Sequence, residues 1–354
     1  MKKILTFALA AVLAVSATAC GEKPAASTPA ASTPASSTVS ASAPAAGALP
    51  KVGVLIYKYD DTYISTVRNA LQDELAGKAE VIMQDGKGDQ ATQNDQLDVL
   101  INKGVNVLCV NMVDAKAASG VVEKAKAAGI PTIFFNREPD AATIKAYDKA
   151  CFIGTNAADA GKMQGDLVKQ LFDANPAYDL NKDGKVQYVM FQGEPDNPEA
   201  IARTKWSVDQ AVAAGVKMEQ VGETYVCNWD AEQAQKAMES ALAKNEGKIE
   251  LVLANNDGMA VGAIAALTNV GYNKEGGDKF IPVIGVDATE QAKDAISKKT
   301  MSATVLQDAP AMGKAIAAVA MNAATGKDFL DGTSYKFDDS GVAVRIPYAP
   351  YTGK

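Results

Sequence analysis

The chain has 354 residues, with 35 Lys and Arg against 42 Asp and Glu, a formal net charge of -7, and no histidine. The acidic balance argues against nucleic acid or an anionic membrane surface as the partner. Without imidazole, Ser-His catalysis and histidine-ligated zinc are removed from consideration.

Lys2 and Lys3, the apolar run from Ile4 to Val15 and the small residues up to Cys20 read as an export signal over residues 1–20. That run is short against the ~20 apolar residues of a spanning helix, and no later stretch qualifies. Ala17-Thr18-Ala19-Cys20-Gly21 has the form of a bacterial lipobox, with Ala17 where leucine is usual. Cys20 is thus the expected lipidation site and mature N-terminus. Residues 21–49 are almost entirely Ala, Ser, Thr and Pro, with no charge from Pro24 onward, and read as a disordered tether. What remains exceeds one comfortable hydrophobic core and predicts two domains.

Short Val- and Ile-rich runs then alternate with segments of helical period, the pattern of βαβ units and parallel sheets buried on both faces. A first set of strands is predicted at Val52–Tyr57, Ala79–Gln84, Val105–Asn111, Pro131–Asn136 and Cys151–Thr155. Asp60, Asp61 and Tyr63 follow the first of these, and Asn136-Arg137-Glu138 the fourth.

Asp179 to Gln187 places Asp179, Asn181, Asp183 and Gln187 at alternate positions around Gly184, with Lys185 offering its carbonyl. That is the spacing of a calcium loop, since Ca²⁺ takes about six to eight oxygen ligands. An Asx-rich turn between helix and strand explains the same residues without metal. The position of the bidentate Glu of an EF-hand is Met190, within an apolar run, so a remaining carboxylate must come from elsewhere.

A second set of strands is predicted at Val186–Phe191, Val216–Thr224, Leu251–Asn255, Pro282–Asp287 and Thr300–Leu306, with helices such as Asp230–Asn245 and Met259–Val270 between them. Cys109, Cys151 and Cys227 cannot all pair, and two lie in apolar runs; they read as buried free thiols. The fold class is therefore α/β, with two doubly wound parallel-sheet lobes. Such sheets bind ligands in the crevice at the carboxyl ends of their strands. Asn255-Asn256-Asp257 and Asp287 stand at such exits, as do the polar residues above, and each can equally be a helix cap. Planar Asp, Asn and Arg side chains match adjacent sugar hydroxyls, while Tyr63 and Trp229 can cover the apolar ring faces. Trp229 can also be core.

Several blocks, in order, resemble the galactose/glucose-binding proteins of bacterial ABC transporters, within the type I periplasmic-binding-protein fold. They are Val54 to Asp61, Gln93 to Asp98, Phe134 to Pro139, Asp179 to Gln187, Ala254 to Asp257, Gly285 to Ala288 and Val344 to Tyr348. The resemblance spans nearly the whole mature chain. It implies a structural Ca²⁺ held by Asp179, Asn181, Asp183, Lys185 and Gln187, with Glu250 as the missing carboxylate. It implies sugar contacts from Asp61, Asn136, Arg203, Asn256 and Asp287, with stacking by Trp229 and by Tyr63, where the family more often has Phe. Asn197-Pro198-Glu199 stands where the best-known members have His-Pro-Asp, and Gln307 where they have Asn. Asn197, Glu199 and Gln307 are therefore also expected in the site, with altered pocket dimensions. Two lobes are implied, 50–154 plus 307–342 and 155–306 plus 343–354. They join through a three-segment hinge near Thr155, near Leu306 and Gln307, and near Val342 to Val344.

The reading is a monomeric receptor that captures an aldohexose, D-galactose or D-glucose, and hands it to an ABC transporter permease. It would touch the membrane only through its lipid anchor, on the outer face of the cytoplasmic membrane. Xylose, a methyl-galactoside or another aldose is the alternative ligand, and a sensor kinase or chemoreceptor the alternative partner. A glycosidase is disfavoured because Asp60 and Asp61 are adjacent, and neighbours on an extended segment point to opposite faces. A transcriptional regulator is disfavoured because the export signal and tether occupy the place of a DNA-binding headpiece.

Overall fold

A computed structural model describes residues 47–353 except Glu246. The expected export signal, Cys20 and nearly all of the tether lie outside the described residues.

The strands are β1 (Lys51–Ile56), β2 (Glu80–Asp85), β3 (Val107–Val110), β4 (Thr132–Phe135), β5 (Ala150–Gly154), β6 (Val186–Gln192), β7 (Met218–Val226), β8 (Leu251–Ala254), β9 (Val283–Ile284), β10 (Thr304–Gln307), β11 (Ala343–Arg345) and β12 (Tyr348–Tyr351). One sheet runs β11-β5-β4-β3-β1-β2 and the other β7-β6-β8-β9, with every pair in both parallel. β10 pairs antiparallel with β12, and bridges from Ile284 to Ala303 and from Asp287 to Leu306 attach β10 alongside β9.

Central strands such as β3, β4 and β8 are buried along their whole length, which is why their sequences are continuous apolar runs and not alternating ones. The first sheet is covered on one face by Ile64, Val67 and Leu71 of helix Thr62–Leu75 and by Ile316 and Val319 of helix Ala309–Ala324. Leu97, Leu100, Val121 and Val122 cover its other face. In the second lobe, Met238, Met259 and Ala263 cover one face, and Leu167, Val168 and Ala211 the other. Helices Ala157–Ala174 and Pro198–Ala213 approach so closely that a Cβ on Gly165 would lie 2.6 Å from Gln210 Cβ. That contact fixes the helix carrying Arg203. Cys109, Cys151 and Cys227 are buried and unpaired.

The chain crosses between the sheets after β5, after β10 and between β11 and β12. β11 corrects one assignment: residues 343–345 pair with β5 in the first sheet and do not belong to the second lobe. The third crossing is thus Ile346-Pro347, beyond the Val342 to Val344 expected for it. The apolar pattern of Val342 to Ile346 suits either sheet, and only pairing with β5 decides between them.

Candidate functional site: a polar cavity between two lobes

In a doubly wound sheet each strand exits where the next helix starts, so a residue that caps the helix also faces the space between the lobes. Asp61 caps helix Thr62–Leu75 by accepting from Ile64 N at 2.7 Å. Asn197 caps helix Pro198–Ala213, accepting from Glu199 N at 2.9 Å and Ala200 N at 3.2 Å. Asn256 caps helix Asp257–Asn269 from Met259 N at 2.9 Å. The cap and cleft readings therefore coexist on one residue. Together with Tyr63, Asn136, Glu199, Arg203, Trp229, Asp287 and Gln307, these caps line a single cavity. Every residue singled out from the sequence as a sugar contact is in its wall. Asn136, Trp229 and Asp287 hold φ of 60°, 65° and 126°, so backbone strain is concentrated here.

The lining polar atoms fall into two sets. Some already have protein partners: Asp61 Oδ2 accepts from Tyr57 OH at 2.5 Å, and Asn136 Oδ1 from Asn111 Nδ2 at 3.2 Å. Asn197 Nδ2 donates to Glu194 Oε2 at 3.4 Å, and Asn256 Nδ2 to the Trp229 carbonyl at 3.2 Å. The other set is buried with no partner: Glu199 Oε2, Arg203 Nε, Trp229 Nε1, Asp287 Oδ2 and Gln307 Nε2. Each such atom costs about 1–3 kcal/mol, and native proteins keep few of them. Three N–H donors and two carboxylate acceptors around one cavity complement groups that both donate and accept, which hydroxyls do.

Arg203 organises the floor. Only 3% exposed, it donates from Nη1 to the Asn255 carbonyl at 2.9 Å and from Nη2 to Gln307 Oε1 at 2.8 Å and Tyr348 OH at 2.9 Å. Because Gln307 spends its carbonyl on Arg203, the amide N–H end is what it offers the cavity. Burial pushes the Asp287 carboxyl well above the usual carboxylate range; Arg203 pulls it back, while Asp257 and Asp61 raise it further. Burial likewise raises Glu199 against the pull of Arg203. Behind them Asp257 accepts from Thr304 Oγ1 at 2.6 Å and Thr289 N at 2.7 Å, and burial lifts its carboxyl to about 7. Three carboxyls, of Asp61, Glu199 and Asp287, outnumber the two guanidiniums of Arg137 and Arg203 in the lining, which suits a neutral ligand better than an anion.

Trp229 closes one side. A Cβ on Gly193 would lie 2.3 Å from its Cε2, so glycine is what lets the indole lie against the β6 exit. At the rim, Arg137 stacks 3.9 Å from the Tyr57 ring centroid and pairs with Glu194 of the other lobe, while Lys116 reaches Asp196 at 3.1 Å. Asp60 is outside the lining and pairs with Lys58 at 3.3 Å, so the two adjacent carboxylates do not flank a common space.

A model of the periplasmic binding protein domain matches residues 52–328. The chain belongs to that family. A D-galactose/methyl-galactoside binding periplasmic protein of Haemophilus influenzae is 40% identical over 302 residues, covering 84% of this chain and 88% of its own. A D-xylose-binding periplasmic protein of Escherichia coli is 29% identical, covering 71% of this chain and 70% of its own. Among solved structures, an ABC transporter solute binding protein of Bacillus halodurans with bound myo-inositol superposes with a TM-score of 0.67 at 28% identity, covering 86% of this chain and 94% of that one. This periplasmic binding protein is a ligand receptor and not an enzyme.

Three lining residues were not singled out as contacts: Tyr57, Ile64 and Arg137. Arg137 stood in a strand-exit triplet and was legible there. Tyr57 read as the end of a strand and Ile64 as one more apolar residue of a helix, and neither carries a signal distinct from core.

The Asp179–Gln187 loop is built as alternating Asx turns. Asp179 Oδ2 accepts from Gly184 N at 2.9 Å, Asn181 Oδ1 from Asp183 N at 2.9 Å and Asp183 Oδ1 from Lys185 N at 2.9 Å. Glu250, 1% exposed at the start of β8, accepts from Leu180 N at 2.6 Å and Gln187 N at 3.2 Å and so reaches the loop. Gln187 Oε1 is buried without a partner. Among the described residues no three Asp, Glu, Cys or His side chains form a metal cage, so any ion here rests on mixed carboxylate, amide and carbonyl oxygens.

Proposed function

We propose that this protein is an extracytoplasmic solute-binding lipoprotein that captures an aldohexose, D-galactose or D-glucose, between its lobes and delivers it to an ABC transporter permease. The observation that carries the reading is the set of buried unpartnered atoms on Glu199, Arg203, Trp229, Asp287 and Gln307, five residues that all line one cavity. Similarity to a galactose-binding relative over most of both chains supports the hexose, and the excess of carboxyls over guanidiniums in the lining supports a neutral ligand. Expulsion of water by lobe closure strengthens each hydrogen bond in such a site. Titration calorimetry with D-galactose, D-glucose, D-xylose and a methyl-galactoside tests it. Saturable heat with galactose or glucose is the expected result, and no heat with any of the four contradicts it.

The loop 179–187 with Glu250 is proposed to hold a structural Ca²⁺. The fit rests on Gln187 Oε1: its amide now donates from Nε2 to Asp183 Oδ2 at 2.8 Å, leaving the oxygen orphaned, and a cation beside these oxygens would engage both. Acylation at Cys20 is proposed to tether the receptor outside the cytoplasmic membrane, supported by the lipobox-like sequence and the spacer after it. Release of a Cys20→Ser variant into the medium checks the anchor, and retention at the membrane contradicts it.

A further inference from the structure

The block Val344-Arg345-Ile346-Pro347-Tyr348 lies outside the cavity, yet it carries the third crossing between lobes. Tyr348 is 7% exposed, and its hydroxyl accepts from Arg203 Nη2 at 2.9 Å and shares a 2.7 Å hydrogen bond with Thr155 Oγ1. Thr155 follows β5 on the first crossing. Gln307, on the second crossing, is the register partner of Tyr348 in the β10-β12 ladder and accepts from the same Arg203 Nη2 at 2.8 Å. Arg345, on the near side of the third crossing, donates to the Thr155 carbonyl at 2.9 Å. The guanidinium of Arg203, a cavity-lining residue whose Nε is unpartnered, is thus bonded, directly or through one hydroxyl, to all three strands of chain that must bend for the lobes to move.

We propose that Tyr348 is the positioning residue that couples ligand capture to lobe closure, by holding Arg203 against Thr155 across the hinge. The inference rests on the sugar-binding reading of the same cavity. A ligand hydroxyl accepting from Arg203 Nε constrains the guanidinium plane, and because that plane is rigid its Nη2 is then fixed relative to Gln307 and Tyr348. In the closed arrangement described here, Tyr348 OH meets both Arg203 and Thr155. Ligand and hinge therefore favour the same state, which is the differential interaction a population shift needs.

The test compares the unmutated protein with Tyr348→Phe, Thr155→Val and the conservative Thr155→Ser, titrated with D-galactose and D-glucose, with dissociation rates from stopped-flow fluorescence and melting temperatures alongside. The expected result is about tenfold weaker binding in Tyr348→Phe, the loss of roughly one charge-assisted hydrogen bond, appearing chiefly as faster dissociation. Thr155→Val should move in the same direction and Thr155→Ser should restore the unmutated values. Unaltered affinity and dissociation rate in Tyr348→Phe overturn the proposal. So does a drop in melting temperature without a change in dissociation, because Tyr348 is then packing alone. An unmutated protein that binds neither sugar overturns the functional reading, and this inference falls with it.

Discussion

Asp287 presents one of the two unpartnered carboxyl oxygens among the residues that line the cavity. It sits at φ 126° with Oδ2 unpartnered, 4.0 Å from Arg203 through its other oxygen. Replacing it by Asn exchanges an ionisable acceptor for an amide of the same shape. Asp287→Asn should weaken sugar binding by about 10- to 100-fold, the range for leaving a buried polar group without its partner, without lowering the melting temperature. Calorimetry with thermal melts checks this, and a less stable variant of unchanged affinity contradicts it. Asp257 makes a separate statement about pH. Its folded carboxyl is raised from 3.8 to about 7, so the folded state binds its proton more tightly than the unfolded chain does. That contribution is complete below the unfolded value and is lost as pH rises through about 7. Asp257→Asn can keep both threonine contacts, accepting from Thr289 N and donating to Thr304 Oγ1. Melting temperatures of this variant should therefore fall less than those of the unmutated protein as pH rises from about 3.8 to 7; parallel curves contradict it.

At the scale of elements, helix caps, first helical turns and strand ends carry the site while the rest of the strands and helices hold it in place. The Asp179–Gln187 loop is the clearest case, since Glu250, the residue before β8, accepts from backbone N–H groups of a loop some seventy residues earlier. An ion bound there stabilises only the folded chain, so removing it with chelator should lower the melting temperature, and Glu250→Ala in calcium should melt as the unmutated protein does in chelator. Equal melting temperatures with and without chelator contradict the ion. The sequence made this much legible because strands buried on both faces write themselves as unbroken apolar runs, and because capping Asp and Asn residues mark strand exits. Two elements resisted. β9 is only Val283–Ile284, shorter than its apolar run; beyond it Gly285 and Asp287 donate instead to the carbonyls of Ala303 and Val305. β11 was assigned to the wrong lobe, since a three-residue strand just before a crossing carries no record of which sheet it joins. Within the site, Arg203 was legible by resemblance, whereas its bonds to Gln307 and Tyr348 depend on tertiary placement alone.

For the whole molecule, the two sheets with their three crossings bring into one space residues that lie far apart in the chain, from Asp61 to Gln307. Rim pairs such as Arg137 with Glu194 and Lys116 with Asp196 join the lobes, so the structure described is a closed one. Unpartnered atoms in its interior make that closed state costly without a guest and favourable with one. The most direct measurement is a crystal structure of the protein grown with D-galactose. The account predicts one sugar ring between Tyr63 and Trp229, with hydroxyls within hydrogen-bond distance of Glu199 Oε2, Arg203 Nε, Trp229 Nε1, Asp287 Oδ2 and Gln307 Nε2. A sugar bound elsewhere, or a closed cleft holding none at saturating concentration, would contradict it.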